Sequence, residues 1–129
     1  MKKLVVGIAS YEDMKSRSLA IAKGDYKPKR GDPKVWFRSV ESAAKILSEK
    51  NQKLLTLIVE KQPDSITELA KLSGRGRTSV QRTIKTMAKY GLVTLSKGSY
   101  GRVKPFFPYS DIGINLTIRQ RNADKWKTA

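Results

Sequence analysis

Residues 65–91, SITELAKLSGRGRTSVQRTIKTMAKYG, specify two helices joined by a tight turn. The hydroxyl of Ser65 can cap the first helix, and Glu68, three residues later, can accept a hydrogen bond from the amide of that cap residue. Apolar residues then recur at helical spacing through Leu72. Gly74 has no Cβ, so it can adopt the left-handed conformation that ends a helix, and the next two residues carry the chain into a second helix.

We expect the second helix to begin at Thr78, whose hydroxyl can cap it in a box with Gln81, and to end at Tyr90-Gly91. Its inward stripe follows the spacing i, i+4, i+7 and i+8 and consists of Val80, Ile84, Met87 and Ala88. The side chains between these positions carry cations, amides and hydroxyls. The second helix is therefore predicted to present a positively charged, hydrogen-bonding face to solvent.

That outer face carries the residue types that bind duplex DNA. Arg and Gln can make bidentate hydrogen bonds to guanine and adenine edges, whereas Lys and hydroxyl groups suit phosphates. We assign base contacts to Arg77, Ser79, Gln81 and Arg82, and backbone contacts to Arg75, Thr78, Lys85, Thr86 and Lys89. The spacing lets the start of the helix enter a major groove while its later turns follow the backbone. The alternative is a solvated cationic face, which any surface helix can have.

Two β-rich runs, residues 92–96 and 103–107, follow the second helix and flank a loop that contains glycine. This pattern predicts a β-hairpin. Pro105 cannot donate to a ladder, so its strand should lie at a sheet edge or be irregular there. We expect the hairpin tip to contact the neighbouring minor groove or backbone through Lys97, Ser99, Tyr100 and Arg102.

Helix, turn, cationic helix and hairpin follow one another in the order seen in winged helix-turn-helix proteins. The run TELAKLSGRGRTSVQRTIKTMAKYGLVTL, residues 67–95, resembles the DNA-binding core of MarR-like winged-helix transcriptional regulators. The flanking segments resemble a small prokaryotic group of predicted regulators, some of which act as antitoxins. The resemblance implies an α+β fold, with a winged helix-turn-helix, an N-terminal strand-helix extension and extra short strands.

The function implied is that of a sequence-specific regulator that binds double-stranded DNA with its recognition helix in the major groove. One alternative is an antitoxin that binds both its own operator and a toxin protein. Another is an architectural module that binds nucleic acid without sequence preference, which would show a steep salt dependence and no specificity ratio.

The charge balance favours an anionic partner. The 129 residues carry 27 Lys and Arg against 11 Asp and Glu, a net charge of +16, which is more than solubility requires. Residues 65–107 hold nine of these cations and a single acid, Glu68, so this region is the most electropositive part of the chain.

The residue types that are absent exclude most enzyme chemistry. The sequence has no Cys and no His, so thiol nucleophiles, imidazole bases, disulfides and Cys/His zinc sites are excluded. Capping and solvation explain acids such as Glu12 and Asp13 better than acid–base catalysis does. We expect no enzymatic activity, no cofactor and no metal. No apolar run approaches the length of a membrane span, so we expect a cytoplasmic protein with no membrane partner.

The N-terminal half should add a strand-helix extension. A short strand is predicted at 4–9, followed by a helix that Ser10 caps and that runs to about Gly24. Residues 25–34 are the longest loop, and we interpret them as a solvated connector, with a DNA-contacting arm as the alternative. The later predictions are a strand at 35–38, a helix capped by Ser39 and reaching Lys50, and a buried helix at 51–61.

Residues 112–118 alternate between Ile or Leu and smaller or polar residues, which predicts a strand with one buried face. This strand and those at 4–9 and 35–38 should pair with each other or across a two-fold axis, so we expect a homodimer. The tail 119–129 is predicted to be disordered, or to order on a partner through Trp126. The predicted organisation is thus a dimerisation or partner-contact segment at 1–50, a DNA-binding domain at 51–107, and a strand and basic tail at 108–129.

Overall fold

The computed structural model describes residues 2–118 and shows a mixed α+β fold. In chain order its elements are β1 (Lys2–Ile8), α1 (Tyr11–Lys23), β2 (Val35–Phe37), α2 (Val40–Ile46), α3 (Glu49–Lys61), α4 (Ile66–Ser73), α5 (Arg77–Tyr90), β3 (Thr94–Lys97), β4 (Val103–Phe106) and β5 (Tyr109–Leu116). The tail 119–129, including Trp126, lies outside the described residues. Within the described part, no helix combines the length and the apolarity needed to cross a bilayer.

The chain divides into two compact units. Among the described residues, the first unit consists of residues 44–111 with residues 2 and 3, and the second consists of residues 4–43 with residues 112–118. The N-terminal strand-helix segment therefore shares a unit with the end of β5, because strands far apart in sequence pair there.

The second unit is built on a three-stranded sheet with the order β2-β1-β5. Strands β1 and β2 run parallel, with Val6 opposite Val35 and Ile8 opposite Phe37. A parallel pair needs a long crossover connection, which α1 and the following loop supply. The sheet order confirms that the three strands predicted outside the hairpin pair with each other. Phe37 of β2 is buried and belongs to the core.

Local sequence signals account for the ends of α1. Ser10 has an extended backbone, and its hydroxyl accepts a hydrogen bond of 3.1 Å from the Asp13 amide. Gly24 ends the helix with φ of +80°, a value that a residue with a Cβ rarely adopts. Both predicted ends of this helix are confirmed.

The prediction of one buried face on the last strand is wrong. Ile114, Leu116 and Ile118 are 58%, 42% and 75% exposed. Alternation in sequence places Ile114 and Leu116 on one face of β5, and Ile118 follows the end of the strand, but burial requires another layer over that face. The described residues of one chain do not supply such a layer.

The prediction for α2 and α3 was only partly correct. The Ser39 hydroxyl accepts from the Ser42 amide, as a cap should. The helix that follows ends at Ile46, however, and does not reach Lys50. Ser48 caps a separate helix, α3, by accepting from the Asn51 amide at 3.3 Å.

The start and end of α4 follow the sequence closely, with one correction. The Ser65 hydroxyl accepts from the Glu68 amide at 3.0 Å, and Gly74 ends the helix with φ of +73°. The Glu68 carboxylate accepts from the Asp64 amide at 2.8 Å, and not from the amide of Ser65 as predicted. The carboxylate thus binds the amide of the residue before the N-cap and not that of the N-cap itself.

The predicted start of α5 is wrong. Gly76 is the N-cap, with an extended backbone and no side-chain capping hydrogen bond, and the helix begins at Arg77. Since only Arg75 separates Gly74 from Gly76, the chain returns to helical geometry before Thr78 could act as a cap. The predicted C-terminus is confirmed, because Gly91 ends the helix with φ of +90°.

Strands β3 and β4 form the predicted hairpin. They pair antiparallel, with Leu95 opposite Pro105 and Lys97 opposite Val103. The sheet has these two strands among the described residues, so each strand has one unpaired edge and the missing amide of Pro105 is tolerated. Leu92 and Val93, which precede β3, are buried.

Candidate nucleic-acid interface

The face of α5 that meets the core is determined by its apolar stripe. Val80, Ile84 and Met87 each have 0% exposure, and α5 packs on α4, which in turn packs on α3. Because residues three or four apart share one side of a helix, burial of this stripe directs the remaining residues outward. The predicted inward stripe is confirmed for these three residues, whereas its fourth member, Ala88, is half-buried.

Four cations extend along the outer side of α5, namely Arg77, Arg82, Lys85 and Lys89, and all four are exposed. The helix contains no Asp or Glu. Within residues 2–118, no carboxylate lies within ion-pair distance of these four side chains. Their charge is therefore left for solvent or an anionic partner.

The groove beside the start of α5 brings several predicted site residues together. It has a volume of about 420 Å³, and its lining includes Thr67, Lys71, Arg77, Gln81 and Arg102. Arg77 is oriented by its Nε, which donates to Thr67 Oγ1 at 2.8 Å. Residues from the second helix and from the hairpin thus share one surface, although each was predicted from a separate stretch of sequence.

The guanidinium of Arg75 is engaged inside the protein. Its Nη1 donates to Asn51 Oδ1 at 3.1 Å, and its Nη2 donates to Ser79 Oγ at 3.0 Å and to Thr83 Oγ1 at 3.2 Å. Ser79 and Arg75 are both half-buried. We refer to Asn51, Arg75, Ser79 and Thr83 as the Arg75 bracket, because they join the start of α3 to the first turns of α5.

The hydroxyls predicted to contact the backbone lie in two different environments. Thr78 is exposed in the first turn of α5. Thr86 is half-buried, and its Oγ1 donates to the Arg82 carbonyl of its own helix at 3.0 Å. Thr78 is therefore open to a ligand, whereas the hydroxyl proton of Thr86 is already used within the helix.

The hairpin tip holds an aromatic side chain away from the protein. Tyr100 is 95% exposed and has φ of +57°, an uncommon value for a residue with a side chain. The Arg102 guanidinium lies 5.7 Å from the centre of the Tyr100 ring. Lys97 is exposed at the end of β3. Ser99 lies in the turn Ser99–Gly101, but its side chain is outside the described part.

The turn between β3 and β4 is close to the α3–α4 connection at Gly98. A Cβ placed on Gly98 would overlap the carbonyl oxygen of Asp64. The Gly98 amide donates to the Arg102 carbonyl across the turn. Glycine at this position therefore allows a contact that sets the hairpin against the helices.

Four residues of this surface were not predicted from the sequence. Asn51 and Thr83 belong to the Arg75 bracket, and their partners lie up to 24 residues away. Thr67 and Lys71 line the groove, and their spacing of four residues on α4 is the one signal that could have indicated them. Within residues 2–118, no group of three or more His, Cys, Asp or Glu side chains is placed to hold a metal ion.

One family model matches this chain, over nearly the same residues as the first unit. The chain belongs to the HVO_A0114 family, whose model matches residues 46–114. The matched segment includes α3, α4, α5, the hairpin and much of β5. No match to a curated protein was found.

Proposed function

We propose that this protein is a sequence-specific transcriptional regulator that binds double-stranded DNA through a MarR-like winged helix-turn-helix. In this proposal α5 is the recognition helix and the β3–β4 hairpin is the wing. The observation that carries it is the outer face of α5, where four exposed cations have no carboxylate partner among the described residues. Arg102 of the hairpin lines the same groove as Arg77 and Gln81, together with Lys71 and one acid, Glu68. In this proposal helix and wing therefore contribute to one surface on which cations outnumber acids.

Residue roles follow from what each side chain is free to do. Arg77, Gln81 and Arg82 face bases, since guanidinium and amide groups can bind guanine and adenine edges in pairs of hydrogen bonds. Lys85 and Lys89, on later turns, bind phosphates. Arg75 and Ser79, which were predicted to contact DNA, hydrogen-bond to each other. In this proposal they position α5 instead.

The first turn of α5 suits a phosphate or a major-groove approach. It contains no acid, and its N-cap, Gly76, offers no side chain to the free amides. The positive end of the helix dipole is therefore not neutralised from within the helix, which favours an anionic group there. Thr78, exposed in that turn, can add a hydroxyl donor.

The wing contributes Lys97, Tyr100 and Arg102. The exposed ring of Tyr100, with the Arg102 guanidinium beside it, provides an apolar surface and a cation at one point. A minor groove or the sugar-phosphate backbone next to the major-groove site accepts such a pair.

A homodimer completes the proposal. β5 is at the edge of its sheet and exposes Ile114 and Leu116, and the exposed Ile118 follows it. Residues 112–118 contain no charged residue in a chain of which 29% is charged, so a second copy can approach this strand without like-charge repulsion. Two copies related by a two-fold axis bind half-sites about 10 bp apart or a multiple of it.

Selection of bound fragments from random duplex DNA tests the function. A sequence-specific regulator enriches one motif, and the selected duplex competes far better than an unrelated duplex of equal length. Enrichment of no motif, with a steep salt dependence for every duplex, would identify the architectural nucleic-acid-binding alternative instead.

A further inference from the structure

The loop between α1 and β2 carries a second concentration of positive charge. Residues 27–34, KPKRGDPK, which we name the basic loop, contain four cations and one acid. Lys27, Lys29, Arg30 and Lys34 are all exposed. The loop belongs to the second unit, whereas α5 and the hairpin belong to the first.

Asp32, the single acid of the basic loop, contacts Tyr26, Lys29 and Arg17, and we name these contacts the brace. Asp32 Oδ2 accepts hydrogen bonds from the Tyr26 hydroxyl and from the Lys29 amide, the latter at 3.0 Å. It also lies 3.8 Å from Arg17 Nη2 on α1. The Arg17 guanidinium is 5.3 Å from the centre of the Trp36 ring and 5.8 Å from that of Tyr26. Both ends of the loop are thus tied to one buried or half-buried cluster.

These contacts oppose the extension expected of a charged connector. Like charges in a short segment repel one another and extend the chain. Here the brace folds the segment, while the Asp32 carboxylate forms its ion pair with Arg17, outside the loop. The segment thus carries four exposed cations within eight residues, and a polyanion is the partner that suits such a surface.

We propose that the basic loop is a second DNA-contacting surface that binds the phosphodiester backbone without reading sequence. This inference rests on the proposed function, since it requires that the protein binds duplex DNA. Each Lys or Arg that neutralises a phosphate releases counterions, so each contact adds roughly 0.9 to the salt dependence of binding on a log–log scale. The loop should therefore strengthen binding to every duplex by a common factor.

The test compares two triple variants of the full chain by fluorescence anisotropy over a series of salt concentrations. One variant, K27Q/K29Q/R30Q, removes three cations of the basic loop. The matched control, K15Q/K45Q/K61Q, removes three exposed lysines from helices. Thermal melting verifies that all proteins are folded, and since the substituted side chains are exposed, we expect similar melting temperatures.

The loop variant should bind the selected duplex and an unrelated duplex more weakly by the same factor. At 0.15 M salt the loss should lie between roughly 5-fold, for one contact, and 100-fold, for three, with a salt slope shallower by about 1 to 3. Affinities equal to those of the control variant would overturn the inference. A loss confined to the selected duplex would also overturn it, because the loop would then read sequence, and so would an undiminished affinity for DNA with a diminished affinity for RNA.

R82A separates this inference from the proposed function. That variant should lower the ratio of selected to unrelated binding, whereas the loop variant should leave this ratio unchanged. If wild-type protein binds no duplex at all, the proposed function fails. If R82A behaves as expected and the loop variant matches its control, only the further inference fails.

Discussion

Arg75 Nη1 donates a hydrogen bond of 3.1 Å to Asn51 Oδ1 and so joins the turn before α5 to the first turn of α3. The same guanidinium holds Ser79 and Thr83, one turn apart on α5. A planar guanidinium can serve three acceptors in a fixed geometry, which a lysine ammonium on its flexible stem cannot reproduce. The Arg75 bracket therefore places the start of α5 relative to the helix beneath it.

We predict that Arg75→Lys resembles Arg75→Ala. Both substitutions should lower the free energy of unfolding by about 2 kcal/mol, since hydrogen bonds to a charged group are lost and half-buried acceptors lose their donor. Both should also reduce the ratio of selected to unrelated DNA binding. Denaturant unfolding and competition binding measure the two effects, with Lys85→Ala as the exposed-cation control. If Arg75→Lys keeps wild-type affinity and stability, Arg75 binds phosphate as a point charge and does not position α5.

Gln81→Ala and Arg82→Ala should each weaken binding to the selected duplex by about 1–3 kcal/mol and change binding to unrelated duplexes little. Lys85→Ala and Lys89→Ala should weaken binding to all duplexes alike, because phosphates carry no sequence information. Competition assays with the two kinds of duplex distinguish these outcomes. Equal losses on every sequence for Gln81→Ala and Arg82→Ala would show that these two residues do not contact bases.

Gly98→Ala should displace the hairpin. The new Cβ would overlap the Asp64 carbonyl oxygen, which belongs to the backbone and has little freedom to move. We expect a loss of stability of about 1–3 kcal/mol and weaker binding to every duplex. Gly31→Ala is the matched control for stability alone, because a Cβ there meets nothing within 4 Å but the residue belongs to the basic loop. Wild-type stability and affinity in Gly98→Ala would show that the hairpin adapts without cost.

Acid should weaken the brace around Asp32. Burial alone would raise the pKa of this carboxyl, but hydrogen bonds from Tyr26 and the Lys29 amide, with the charge of Arg17, hold that pKa below its ordinary value. A lowered pKa means that the brace stabilises the folded state above the unfolded pKa of about 4 and loses this contribution as pH falls through the folded pKa. Asp32→Asn should thus be less stable than wild type at pH 7 and approach it at low pH. A difference in urea midpoint that stays constant with pH would contradict this account.

Alkali should act on the same brace through Tyr26. Burial, followed by the hydrogen bond to Asp32 and its charge, raises the pKa of the Tyr26 hydroxyl, while Arg17 opposes the rise. The contribution is complete below the ordinary pKa of about 10 and is lost as pH rises through the higher folded value. Tyr26→Phe should remove this loss of stability at high pH. The pKa values of Asp32 and Tyr26 together set the lower and upper limits of the pH range in which the brace is intact.

Ile114→Glu should prevent dimerisation. It places a charge on the exposed apolar face of β5, where a partner strand would bury it without a counter-charge. Light scattering at micromolar concentration should give a dimer for wild type and a monomer for the variant, with equal circular dichroism. Lys45→Glu, a charge change on an exposed helix position, should remain dimeric. A monomeric wild-type protein would exclude the homodimer.

The sequence alone determined the features that depend on residues within about four positions of each other. Ser10, Ser65, Gly74 and Gly91 were predicted from capping chemistry and backbone freedom, and both effects operate inside one turn of chain. The stripe of Val80, Ile84 and Met87 was predicted because helical periodicity is itself local.

Tertiary structure decided what depends on packing between distant segments. The Arg75 bracket joins residues 24 positions apart, and the groove that unites Arg77 with Arg102 needs the hairpin folded against the helices. The start of α5 at Arg77 and the exposure of Ile114 show the same limit. A capping motif shows where a helix can begin, and an alternating pattern shows which side chains share a face of a strand. The neighbouring segments determine which helix start is used and which face is covered.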